Sequence, residues 1–272
     1  IAKVSYMATV VLAHGNGYPP GSYRALLAEL GEPLGHAVQA LEHRPLWDAS
    51  PAPTFLGWEH YANDLIDFIQ RQCDQPVWLL GHSMGAACGV IGAARRPDLF
   101  AGIIGLDPVM VRTKIWFWSR VFNRVNPDAM PIVKRALKRP HHFDGHQQAF
   151  DFYRGKRVFS NVGDEVLMDY VLAGHALQDD GRVALRYTGT WEACVYRSVP
   201  RMGPALKSLS CPLHIIAGES SDVLTPETLS WAASQYPRLT HESLPGGHLL
   251  PLEHPEACAM AVRQKLDEWC GG

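Results

Sequence analysis

No C-x-x-C pair occurs among the six cysteines, Cys73, Cys88, Cys194, Cys211, Cys258 and Cys270. So few thiols, so widely scattered, do not make a disulfide framework, and buried inert thiols in a reducing compartment are the expectation. No apolar run approaches the roughly 18 residues that a membrane helix needs, so no integral membrane segment is expected. Ile1 to Met7 lacks the layout of a signal peptide, and a cytoplasmic location follows as an expectation. Neither charge sign dominates: 25 Lys and Arg stand against 27 Asp and Glu, a formal net charge of −2. That leaves no electrostatic footprint for nucleic acid. There is no G-x-x-x-x-G-K-[ST], and Gly15-x-Gly17 lacks the third glycine of a dinucleotide fingerprint because position 20 is Pro20. His141, His142 and His146 near Asp144 have no metal-site spacing and read as solvated surface. No cofactor and no metal are expected.

What is present is an alternation. Hydrophobic residues make up 47% of the 272, enough for a large core. Short apolar runs read as buried strands at Ala8–Ala13, Val38–Leu41, Val77–Leu80, Ala101–Leu106, Leu213–Ala217 and Leu239–Leu244. Between them lie stretches with helical spacing: Gly21–Leu30, Glu59–Gln72, Gly85–Arg95, Pro226–Gln235 and Pro255–Trp269. Strand and helix in turn mean a mostly parallel sheet covered on both faces. The alternation stops between Pro108 and Ser210, where the texture is helical and the charge uneven. Sites in open α/β sheets lie beyond the carboxyl ends of the strands. A segment leaving one strand end and returning to the next would therefore cover the site. The expected division is a core of 1–107 and 211–272 with a mainly helical cap, or lid, of 108–210, inserted after the strand that ends at Asp107.

Gly81-His82-Ser83-Met84-Gly85 is a G-x-S-x-G motif placed between the strand Val77–Leu80 and a helix. So sharp a turn strains the serine backbone and leaves no room for side chains two residues either side, hence Gly81 and Gly85. The helix that follows points its N-terminus, with free N–H groups, at developing negative charge.

Together with His14-Gly15-Asn16-Gly17, with Gly218-Glu219-Ser220-Ser221-Asp222 and Pro226, and with Gly247-His248, this elbow resembles the α/β-hydrolase superfamily across nearly the whole chain except the cap. The resemblance implies the α/β-hydrolase fold and a serine esterase or lipase-like activity with a Ser-His-Asp triad in the order Ser83, Asp222, His248. Ser83 would be the nucleophile, His248 the base, and Asp222 the acid that orients it. Asp107, which ends the preceding strand, and Glu219 are the alternative acids. The backbone N–H groups of Met84 and Asn16 would form the oxyanion hole, and the Asn16 side chain could also point into the site. Related enzymes that open epoxides or remove halides carry aspartate where this chain has Ser83. The family usually has two further strands ahead of the oxyanion strand. Here only Lys3 to Met7 precedes it, so the sheet is expected to be short at that edge.

The expected reaction is hydrolysis of a carboxylic ester with a moderately hydrophobic acyl group. Acyl transfer, carbon–carbon bond hydrolysis and a slow-turnover receptor that keeps the triad are the alternatives. The expected partners are a small ester, anionic or lipid-like, and at most a second copy in a homodimer. Arg112 to His142 holds eight basic residues and one acid, Asp128. Ile115, Trp118, Phe122 and Val125 recur there at helical spacing. Two readings follow. One is an amphipathic cap helix packed on the core with its basic face in solvent. The other is an apolar acyl pocket using Trp116, Trp118 and Phe122, with a basic rim for anionic substrates or an anionic lipid surface.

Overall fold

In a computed structural model, residues 9–34 and 38–271 are described. Lys3 to Met7 lies outside them. The first half of the chain runs β1 (Val10–Ala13), α1 (Arg24–Leu34), β2 (Val38–Leu41), α2 (Trp58–Gln72), β3 (Val77–His82), α3 (Met84–Arg95) and β4 (Phe100–Leu106). The 108–210 segment forms α4 (Thr113–Val125), α5 (Pro131–Leu137), β5 (His142–Phe143), α6 (His146–Arg154), α7 (Asp164–Gly174), β6 (His175–Leu177), β7 (Val183–Leu185), α8 (Gly189–Arg197) and α9 (Met202–Ser208). The chain ends with β8 (Leu213–Gly218), α10 (Pro226–Gln235), β9 (Leu239–Leu244), α11 (Leu250–Glu253) and α12 (Pro255–Gly271).

Six strands form one parallel sheet in the order β2-β1-β3-β4-β8-β9. The two-residue period of a strand divides its side chains between two cores. Val11 and Ala13 join Trp58, Leu65 and Met84 on one face, while Val10 and Leu12 join Leu26, Leu30 and Val262 on the other. Both faces are covered, which is why these strands read as unbroken apolar runs. The chain goes from β1 outward to β2 and then back past β1 to β3. The order therefore reverses between β1 and β3, where a crevice for ligands opens at the carboxyl ends. The turn after β1 carries His14–Gly17, and the turn after β3 carries Ser83.

The inserted segment is not wholly helical, because β5, β7 and β6 pair antiparallel into a small second sheet. Its first helix is mounted inside out. Ile115, Phe117, Trp118, Val121, Phe122 and Val125 are exposed on α4, and it is Asn123 that is buried, donating from Nδ2 to Arg197 O at 2.9 Å. Neither sequence reading of this helix anticipated that. A large apolar side chain left in water forgoes about 1.5–3 kcal/mol of burial.

Candidate active site

The elbow is as tight as the two glycines demand. A Cβ on Gly81 would stand 2.5 Å from the Ala86 nitrogen, and one on Gly85 would stand 2.0 Å from the Ala13 carbonyl oxygen. Between them Ser83 takes φ 54° and ψ −115°, a conformation that costs energy in any residue with a side chain. The strain lifts Oγ above the sheet, directly before the first N–H groups of α3, which have no acceptor within the helix.

The Ser83 Oγ lies 2.9 Å from His248 Nε2, and His248 Nδ1 lies 2.6 Å from Asp107 Oδ2. Three side chains from three strand ends thus form one hydrogen-bonded line. Asp107, not Asp222, stands behind the imidazole. The sheet order explains the correction. β4 is the neighbour of the strand that leads to Ser83, so the residue just past its end, Asp107, reaches the histidine directly. A positive φ of 43° at Asp107, a conformation that aspartate tolerates better than most residues, turns the chain there. Asp222 lies beyond the turn closed by Ser221 N–H on Gly218 O at 3.0 Å, and is exposed, as is Glu219. The residue that the β8 loop brings to the site is Ser221, whose hydroxyl donates to Asp107 Oδ2 at 2.6 Å. With Gly218 N–H donating to Oδ1 at 3.0 Å, the wholly buried carboxylate has three donors and stays compensated.

His82 and Tyr23 complete the frame without having been singled out in the sequence. His82 Nε2–H donates to the backbone carbonyl of His248 at 2.9 Å, which leaves Nδ1 to accept from Tyr23 OH at 2.6 Å. Tyr23 OH in turn accepts from Gly15 N–H at 3.0 Å. One chain of hydrogen bonds therefore ties the turn after β1 to the loop carrying His248. His14 fixes the same turn, with Nε2 accepting from His43 N–H at 3.1 Å and Nδ1 bonded to Gly15 O at 2.8 Å.

Burial keeps these imidazoles neutral. Desolvation pushes His82 down to about 3 and His43 to about 4, and lowers His14 well below the usual histidine range. His175 is likewise pushed to about 4 by burial. Below the unfolded value of 6.5 the unfolded chain binds protons that the folded chain refuses. The stabilising effect is fully present above 6.5 and is lost as pH falls toward the folded values. Each such histidine steepens that loss by about 1.4 kcal/mol per pH unit. Thermal unfolding followed from about pH 7 to about pH 5 should therefore show a steeply falling Tm. A flat profile over that window would refute the neutral, buried assignment.

Of the two N–H groups expected at the oxyanion hole, that of Met84 opens α3 immediately after Ser83. Asn16 sits in the turn after β1, but its side chain does not point freely into the site. Oδ1 accepts from Tyr187 OH at 2.8 Å and Nδ2 donates to Glu192 O at 3.2 Å, so the inserted segment grips the turn from above. Beside it Arg139, one of the eight basic residues from Arg112 to His142, is mostly withdrawn from solvent, its side chain 11% exposed. Its guanidinium donates to Glu192 Oε2 at 2.8 Å, to Tyr153 OH at 3.0 Å and to Tyr170 OH. Trp116, Trp118 and Phe122 do not form an acyl pocket at Ser83. Trp118 and Phe122 face solvent, and Trp116 lines a separate cleft between α4 and the helices α2 and α3.

A sequence model of the alpha/beta hydrolase family matches residues 10–261. Over 255 residues the chain is 24% identical to a serine hydrolase-like protein of Dictyostelium discoideum, covering 86% of this chain and 66% of that one. It is 30% identical over 109 residues to the monoglyceride lipase of Mus musculus, covering 38% of this chain and 36% of that one. The chain thus spans 66% and 36% of the lengths of these two relatives. Among solved structures, E-2-(acetamidomethylene)succinate hydrolase superposes with a TM-score of 0.76 at 21% identity, covering 96% of this chain and 91% of that one. The thioesterase domain from the curacin biosynthetic pathway gives 0.77 at 18% identity, covering 95% and 92%. These two likenesses carry the fold alone. No described helix is long and apolar enough to cross a membrane. With the family model matching from β1 into α12, the chain belongs to the alpha/beta hydrolase family.

Proposed function

We propose that this protein is a serine hydrolase that cleaves a carboxylic ester through an acyl-enzyme. The observation that carries the reading is the hydrogen-bonded line Ser83, His248, Asp107, with distances of 2.9 Å and 2.6 Å. In the first step Ser83 Oγ adds to the ester carbonyl while its proton passes to His248 Nε2. Asp107 holds the Nδ1 proton and stabilises the imidazolium. The carbonyl electron pair becomes an oxyanion, held by the N–H groups of Met84 and Asn16. Collapse expels the alcohol, which takes the proton from His248 and leaves Ser83 acylated. Water then repeats the sequence, with His248 again as base, and releases the acid. The 108–210 segment acts as the cap, setting the Asn16 turn through Tyr187 and Glu192. A relative named a lipase fits attack on an acyl carbonyl.

The test is a nitrophenyl ester series with rapid mixing. The expected result is steady turnover, an acyl adduct on the peptide containing Ser83, and competition by a fluorophosphonate for that same serine. Absence of turnover across the series, or an adduct on another residue, would remove the proposal. Tyr23→Phe deletes only the hydroxyl between Gly15 and His82. It should lower kcat by about tenfold to 10²-fold with KM little changed, since misplacing catalytic groups costs rate more than binding. An unchanged kcat would show that the frame is not needed.

A further inference from the structure

The sequence of α4 is that of an amphipathic helix, yet most of its apolar side chains face away from the protein. Trp116, Ser119 and Asn123 turn inward, while the side bearing Ile115, Phe117, Trp118, Val121, Phe122 and Val125 is exposed and has no partner among the described residues. Three of those six are aromatic, the side chains suited to the boundary between headgroups and acyl chains. Arg120 and Arg124 border this face on one flank. Behind them opens a cleft of about 850 Å³, lined by Trp116 and Asn123, by five arginines, Arg95, Arg120, Arg124, Arg197 and Arg201, and by a single carboxylate, Glu59. Arg197 is paired with Asp128 at 2.5 Å, and Arg95 donates to the neutral Asn63 Oδ1 at 2.8 Å, with no carboxylate paired to it among the described residues. Asn123 is 3% exposed and its Oδ1 has no hydrogen-bond partner among the described residues. An apolar face flanked by a cleft with an excess of arginines over carboxylates matches one surface chemically: acyl chains beside acidic headgroups.

We propose that α4 docks this protein on an anionic lipid bilayer, its apolar face lying in the interface and the arginine cleft receiving acidic headgroups. A second copy is a poor occupant. A twofold contact through α4 would bring Arg120 and Arg124 of both copies to one interface, and α4 contains no acid to offset them. The surface is separate from Ser83, His248 and Asp107, none of which lines the cleft. Docking is read without turnover, so it stands or falls apart from the ester chemistry.

The experiment is cosedimentation of the full chain with vesicles of phosphatidylcholine alone and of phosphatidylcholine mixed with phosphatidylserine. The expected result is salt-sensitive binding to the mixed vesicles only. The double substitution Trp118→Ala, Phe122→Ala should weaken it at least about tenfold. The double substitution Arg120→Glu, Arg124→Glu should weaken it at least about fivefold per residue. Ser83→Ala should bind as wild type does. Far-UV circular dichroism and Tm establish that each variant is folded. Four results would overturn the proposal: no binding, equal binding to both vesicles, binding unchanged in both folded double variants, or a dimer that the Trp118→Ala, Phe122→Ala variant dissolves.

Discussion

Replacing Asp107 by asparagine should lower kcat by about 10⁴-fold in a folded protein, whereas Asp222→Asn should leave the rate near that of the wild type. The reason is the tautomer. The carboxylate accepts the Nδ1 proton of His248 at 2.6 Å, which leaves Nε2 free to accept from Ser83. An amide there can donate to Nδ1 instead and drive the proton onto Nε2, where it blocks the base. The substitution keeps the shape of the side chain, so the loss belongs to chemistry and not to packing. Steady-state rates on a nitrophenyl ester, with Tm measured in parallel, decide the matter. A severe Asp222→Asn and a mild Asp107→Asn would mean that the β8 loop rearranges in solution and exchanges the two acids.

Ser83→Ala should cost at least about 10³-fold in kcat, and adding Asp107→Asn to it should cost almost nothing more. Once the nucleophile is gone, the proton that His248 would take has no donor, and the acid behind the imidazole has nothing to stabilise. Groups that act as one unit show this non-additivity. The residual rate of both variants comes from the N–H groups of Met84 and Asn16 acting on a water attack. Additive losses in the double variant would show that Asp107 works independently of the Ser83–His248 pair, contrary to the geometry.

The two residues nearest the reaction were legible because each is announced locally. Gly81 and Gly85 flank Ser83 since the elbow has no space for a Cβ, and such a steric demand leaves its mark within five residues. His248 follows Gly246-Gly247 after the last strand, again a local signal. The acid was not legible in this way. Asp107 and Asp222 both follow buried strands, and both have residues suited to a turn beside them. What separates them is which strand lies next to β3, a property of strand order and not of either neighbourhood. Ser221, inside the loop that resembles an acid loop, is the group that reaches the site, where it donates to Asp107. Tyr23 and His82 were hidden for the same reason, since their partners lie 59 and 166 residues away.

α4 reverses the usual inference from periodicity. Ile115, Trp118, Phe122 and Val125 have the spacing of a packed stripe, and spacing tells which side chains share a face without telling what that face meets. By itself the sequence determined the alternation of strands and helices, the elbow with its serine, the loop with its histidine and the amphipathic character of α4, because backbone sterics and hydrophobic period act over a few residues. Tertiary structure alone decided which carboxylate stands behind His248, which groups brace it, and that the apolar side of α4 looks outward. Each of those depends on contacts between segments far apart in the chain, which no local pattern of residues encodes.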